Sequence, residues 1–238
     1  MITALLATLL LLPPTPVEVT VVQFAAKGKA SLTLGPKGKA EVERTGTVTR
    51  IAVQMEGLQF PQAAKGGMNS YVVWAVSPEG IFENLGELEQ SGAKGSLEAT
   101  TRFDRFAILV TFEPHYMVDK PSSNIYFKND RARELTNVPL TVEIGAYDYP
   151  VVQDSAAGAA DAVPAPSLVT QARSAMAIAN SVQAPVKAEA EFRNAKVALE
   201  TMEELFRRGS MPDVVAAAAH AAIRRAQLAT VAARQSVR

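Results

Sequence analysis

At 238 residues the chain is long enough for one large domain or two modest ones, each able to close an apolar core. Lys+Arg and Asp+Glu both number 24, so the formal charge is zero. The basic excess of a phosphate-tracking protein is missing, which sets nucleic acid aside as a partner. The chain has no cysteine, which excludes disulfides, thiol nucleophiles, Cys-ligated zinc and a lipidated cysteine.

Ile2 to Leu12 is apolar apart from Thr3 and Thr8, and Pro13, Pro14 and Pro16 end the run. It is too short to cross a bilayer, which takes about 20 apolar residues. It fits the roughly 7–15-residue core of a secretory signal. No basic residue precedes it and no A-x-A cleavage site directly follows it. The expectation is a signal-like segment over 1–16 and an exported protein of the periplasm or outer envelope, with no membrane span in the mature chain.

From residue 17 to 152 the pattern is that of strands. Val17-Glu18-Val19-Thr20-Val21, Ser31-Leu32-Thr33-Leu34 and Ala40-Glu41-Val42-Glu43 alternate at period two, which sends one set of side chains inward and the other to water,. Gly35-Pro36-Lys37-Gly38 is suited to a hairpin turn,. Ile51, Val53 and Met55 continue the pattern on one face. Tyr71 to Val76 is apolar on both faces, as in a strand covered on each side,. Ser77-Pro78-Glu79-Gly80 reads as a type I turn that folds the chain back antiparallel from Ile81,. Arg105 to Phe112 is a further core strand, Glu113 to Asn137 reads as a long loop or an excursion on the surface, and Leu140 to Tyr147 closes the series,.

Residues 153–166 are rich in Ala, Gly and Pro and carry almost nothing large enough to anchor a core, so they read as a linker,. Beyond them alanine dominates, and alanine is the best helix former,. A first helix follows Ser167 as its N-cap, with Leu168, Ala172, Ala175, Ala179 and Val182 on one stripe. Pro185 opens a second, with Ala188, Phe192, Ala195, Leu199, Met202 and Phe206 at heptad spacing, and Gly209 stops it,. Ser210-Met211-Pro212-Asp213 caps a third, whose stripe is Val215, Ala219, Ala222, Ala226, Ala229 and Ala233,. The fold class predicted is α+β in two domains. An immunoglobulin-like antiparallel β-sandwich occupies 17–152, and an Ala-rich antiparallel helical hairpin or three-helix bundle occupies 167–238.

Chemistry-bearing residues are sparse. The two histidines, His115 and His220, fall one in each half. His115 ends a strand with no second histidine or acidic pair at metal-ligand spacing, and reads as an ordinary loop residue. His220 reads as a partly solvated helix residue. Gly66-Gly67-Met68-Asn69-Ser70 precedes a strand, so it lacks the helix N-terminus that cradles phosphate,. Trp74 reads as a core residue pinning the sandwich. Glu203–Arg207 and Glu204–Arg208 are the i,i+4 pairs of a solvated face, with Glu200 beside them,. No catalytic, cofactor-binding or metal-ligating residue is assigned.

Two family resemblances rest on these motifs. Gln183-Ala184-Pro185, the Ala195–Leu199 stripe, the Gly209 break and the Ala ladder of the last helix resemble an Ala-rich helical domain of unknown function. That domain is found in bacterial envelope proteins ahead of outer-membrane-protein-A-like, peptidoglycan-binding domains. No such domain follows within the 238 residues, so wall anchoring is not carried over. Tyr71 to Gly80, Asn84 to Leu88 and Phe106 to Pro114 resemble the extracytoplasmic sandwich of anti-sigma-factor K type proteins. Their sigma-binding region and membrane span are not in this sequence, so that resemblance implies the fold and no function.

The expected function is that of a non-catalytic envelope protein, a structural or interaction module with a protein or peptidoglycan partner. The alternatives are an extracytoplasmic regulatory or sensory domain and, at lower weight, a hydrolase using His115. Oligomeric state is left open by the periodicity.

Overall fold

The alternating runs of the first half form two antiparallel sheets, and the Ala-rich second half forms helices. The computed structural model describes residues 15–24, 26–35, 37–59, 67–129, 137–144, 149 and 167–236. Its strands are β1 (Thr15–Gln23), β2 (Lys27–Thr33), β3 (Gly38–Thr45), β4 (Val48–Glu56), β5 (Ser70–Val76) and β6 (Phe82–Glu87). They continue with β7 (Glu89–Ser91), β8 (Lys94–Thr101), β9 (Arg105–Glu113), β10 (Ile125–Lys128) and β11 (Asn137–Ile144). The helices are α1 (Ser167–Ser181), α2 (Ala184–Lys187), α3 (Glu189–Arg207) and α4 (Pro212–Gln235).

One sheet has the order β2-β3-β4-β8-β7, and the other β11-β1-β9-β5-β6, with β10 also paired to β9. In the first sheet burial alternates strictly. Ala30, Leu32, Ala40, Val42, Ile51, Val53 and Met55 point inward, and their neighbours are exposed apart from the half-buried Ala52. They meet Val22, Phe24, Tyr71, Val73, Ala75, Phe106, Ile108 and Val110 of the second sheet in one core. The two sheets therefore pack face to face.

The second sheet is covered on both sides, which is why every residue of β5 is buried. Its other face carries Val19, Val21, Val72, Trp74, Val76, Ala107 and Leu109, which pack with Val118 and with Ile178 of α1. Three layers result: sheet, sheet, helices. α1 lies between the second sheet and the other helices. Its predicted stripe at Ala172, Ala175 and Ala179 is buried, and so are Gln171, Ser174 and Ile178 on its remaining surface.

The turns follow their sequence signals. Leu34 N–H donates to the Gly38 carbonyl (2.8 Å) and closes the β2–β3 hairpin. Gly80 N–H donates to the Ser77 carbonyl (3.0 Å), and β6 returns antiparallel to β5. Gly35 sits at φ +73°, and a Cβ there would lie 2.5 Å from Cδ1 of the Phe127 ring. Gly35→Ala combines left-handed strain with a ring clash. The expected loss is about 1–3 kcal/mol of unfolding free energy in a urea titration, and an unchanged midpoint would refute that account.

The surface loop expected over residues 113–137 is corrected where it is described. Glu113, Pro114, His115, Val118, Pro121 and Ser122 are buried. Residues 125–128 form β10, whose Tyr126 and Phe127 pack on the inter-sheet core. The helical half also departs from expectation at Pro185. It opens the single turn α2, and the extended conformation of Ala188 (φ −145°, ψ 55°) separates that turn from α3.

Gly209 (φ +67°) ends α3 as predicted. Ser210 N–H reaches the Leu205 carbonyl (3.1 Å) and Gly209 N–H the Phe206 carbonyl (3.0 Å), the paired bonds of a Schellman motif,. Met211, not Ser210, occupies the cap position of α4, with Pro212 in its first turn,. All six residues of the α4 stripe are buried, and α4 packs against both α3 and α1. Alanine gains little area per turn, but it leaves room for two helix neighbours at once. The expected signal-like segment lies outside the described residues up to position 14, β1 starting at Thr15, and the expected linker lies wholly outside them.

Candidate functional site

Polar residues concentrate where the helical layer meets the second sheet. β5, β6 and β9 each supply one of them on the covered face: Ser70, Glu87 and Glu113. Ser70 and Glu113 are direct partners across β5–β9, and Glu87 pairs with Val72 across β5–β6. α1 lies over this patch. Gln171, 1% exposed, accepts from the Tyr116 amide at Oε1 (3.0 Å) and donates through Nε2 to Glu87 Oε1 (2.8 Å). Asn69 Nδ2 donates to Ser174 Oγ (3.2 Å) and to the Pro114 carbonyl (3.2 Å), while Ser167 Oγ donates to the Asn69 carbonyl (3.0 Å).

The segment between β9 and β10 is fixed into the same seam. Asn84 Nδ2 donates to the carbonyls of Tyr116 and Val118, both at 2.9 Å. Tyr116 Oη lies 3.1 Å from His220 Nδ1 of α4, with the rings edge to face. Arg234 Nη1 donates to both carboxylate oxygens of Asp119 (2.6 and 2.7 Å). Ser122 N–H donates to Glu113 Oε1 (2.7 Å).

Burial controls the charges. Glu113 is 0% exposed, and loss of solvent pushes its carboxyl up to about 7 against the opposing hydrogen bonds from Thr111 and Ser122,. Its Oε2 and the Ser70 hydroxyl are enclosed without a hydrogen-bond partner. Burial raises the Glu87 carboxyl as well. His115 is 1% exposed, and burial drives it down to about 3, with nearby Asp119 opposing and Arg234 reinforcing the shift. Its Nδ1 accepts from Met117 N–H (3.2 Å), so the neutral ring carries its proton on Nε2,. This arrangement keeps the imidazole neutral in the interior near pH 7 and brings the ionisation of the buried acid up to neutrality.

His115, expected as an ordinary loop residue, is thus a fixed internal one, while His220 is half-buried as expected. Trp74 is fully buried, its Nε1–H donating to Thr111 Oγ1 (2.8 Å) and its ring edge-on to Phe82. Of the glycine-rich run, Gly67 and Asn69 lead into β5, and Gly66 lies outside the described residues. Glu204 pairs with Arg208 as predicted and with Arg207 as well. Glu203 instead takes Arg173 of α1 (2.7 and 2.9 Å), which ties α1 to α3. No family model, curated protein or solved structure matches the chain.

Among the described residues, no group of three or more His, Cys, Asp or Glu side chains could hold a metal ion. No described helix is long and apolar enough to cross a membrane. A second feature lies on the open face of the first sheet. There Lys29, Glu41, Glu43 and Arg50 border a shallow depression of about 390 Å³. The seam residues Asn69, Glu87, Gln171 and Ser174 carry no local pattern in the sequence that marks them as partners. The only local signal was Glu113, a carboxylate at the end of the Ala107-Leu109-Thr111 face of an otherwise apolar strand.

Proposed function

We propose that this is a non-catalytic exported envelope protein, a structural or interaction module that engages a protein or peptidoglycan partner. The observation that carries this reading is the position of the groups best suited to acid–base chemistry. Glu113 and His115 are enclosed, each accepting a backbone N–H of the segment that follows β9, from Ser122 and Met117 respectively. The open face of the first sheet, by contrast, turns Lys29, Ser31, Glu41, Glu43 and Arg50 to solvent, where a polar partner can reach them.

Export rests on the Ile2–Leu12 run. The immunoglobulin-like description is supported by two face-to-face antiparallel sheets with a buried tryptophan in a central strand. The two family resemblances, helical domain and anti-sigma sandwich, belong to the same proposal. Sedimentation with purified peptidoglycan and pull-down from periplasmic extract test it. The expected result is retention by one of them that Lys29→Glu with Arg50→Glu weakens. Neither wall retention nor a stoichiometric partner would overturn it.

A further inference from the structure

We infer that the seam beneath α1 is a proton-controlled latch, in which the helical layer stays docked on the sheet only while the Glu113 carboxyl holds its proton. Glu113 stands on the covered face of β9, and its whole side chain is out of solvent. One oxygen accepts from the Ser122 amide and the other closes no hydrogen bond, the nearby Thr111 and Ser122 hydroxyls being outweighed by burial. A carboxylate there would bury a negative charge with half its hydrogen-bonding capacity empty, which a protein interior tolerates poorly. A protonated carboxyl has an O–H to offer, and the enclosed Ser70 hydroxyl opposite it on β5, which closes no hydrogen bond and has Glu87 as its other carboxyl neighbour, is an available acceptor.

The other titratable groups of the seam do not supply a compensating cation. β6 brings Glu87, a second acid. The segment after β9 brings His115, held neutral, together with Tyr116, Asp119 and Lys120, the last two being exposed. α4 brings His220 against Tyr116, Arg224 near Tyr116 and Arg234 on Asp119. Over the patch, α1 offers the neutral Gln171 and Ser174, while its Arg173 is turned to Glu203. When Glu113 ionises its proton passes to solvent, and the cheapest way to hydrate the charge is to lift α1 and the segment 114–122 from the sheet.

Burial raises the Glu113 carboxyl to about 7, so the change is expected around neutrality. The chain carries its own reporter. Trp74 is its single tryptophan, sits on the same covered face, and bonds to Thr111, two residues before Glu113 on β9. Acrylamide quenching of Trp74 emission, followed from pH 5 to 9 on the full chain, reads the docking directly. Far-UV circular dichroism taken alongside checks that the helices persist.

The expected result is a reversible rise in quenching and a red shift centred near pH 7, with helix content unchanged. Both should be lost in Glu113→Gln, which cannot ionise, and kept in His115→Asn. Glu113→Met provides the same test if the glutamine variant does not fold. Quenching that stays flat in the wild type would overturn the latch. So would a rise that persists in Glu113→Gln, or one abolished by Glu87→Gln instead.

Discussion

Trp74→Ala is expected to cost about 3–5 kcal/mol of unfolding free energy, the range for emptying a large aromatic site in a well-packed core. Trp74 is 0% exposed and sits on β5, an interior strand of a sheet covered on both sides. Its ring fills the space between the sheet and α1, in a cluster with Val72, Val76, Leu109 and Ile178. Truncation leaves a cavity walled by two rigid layers that collapse poorly. It also strips the Thr111 hydroxyl of the indole N–H that it accepts, which adds the cost of an orphaned buried group. Trp74→Phe keeps most of the packing and loses only the bond and part of the volume, so it should fall well short of the alanine variant. Urea unfolding followed by circular dichroism separates the two. An alanine variant within about 1 kcal/mol of the wild type would refute this account of the middle layer.

Stability should be greatest on a mildly acidic plateau, because Glu113 and His115 pull in opposite directions. His115 is held down to about 3 in the fold against an ordinary 6.5. The unfolded chain therefore takes up a proton that the native one refuses. The stability linked to His115 is fully present above pH 6.5 and is lost as pH falls toward 3, on the order of 4–5 kcal/mol across that window. Glu113 is held up to about 7 against an ordinary 4.5. Its contribution is fully present below pH 4.5 and is lost as pH rises through 7, on the order of 3 kcal/mol.

Between pH 4.5 and 6.5 the two slopes nearly cancel. His115→Asn should unmask the decline between pH 4.5 and 7, and Glu113→Gln the rise between pH 3 and 6.5. Urea midpoints measured from pH 3 to 8 check both variants. Two variants that each retained the wild-type profile would remove these residues from the account. The exposed pairs Lys29–Glu43, Lys39–Glu41 and Lys94–Glu56 are too well solvated to produce a competing profile.

Much of the fold was legible because period and burial agree. In β2, β3 and β4 the inward residues are the apolar members of an alternating run, and in β5 the loss of alternation correctly signalled two covered faces. The stretch from Phe82 to Thr101 resisted reading for a local reason. Every residue of β6 is half-buried, and the register slips between Val73 and Trp74, so no clean period survives. β10 is four residues long and follows a buried irregular segment, which composition alone presents as a loop. Helix ends were readable from Pro212 and Gly209, whereas the break at Ala188 has no signature of its own.

The seam was invisible for a different reason. Asn69 meets Ser174 across 105 residues of chain, and Tyr116 meets His220 across 104. No spacing rule reaches that far, and Gln171 drew no notice because it lies one position off the Ala172 stripe.

The position of α1 has a consequence for the order in which the molecule can assemble. β5 and β9 are complete once Glu113 has been synthesised, yet the helix that covers their outer face ends only at Ser181. At about 5–20 residues per second, the apolar strip of Val72, Trp74, Val76, Ala107 and Leu109 stays uncovered for several seconds of elongation. During that interval it is a bare hydrophobic surface on a nascent chain. A fragment ending before Ser167 would keep it permanently. Such a fragment is therefore the form of this protein most prone to aggregate or to recruit a chaperone.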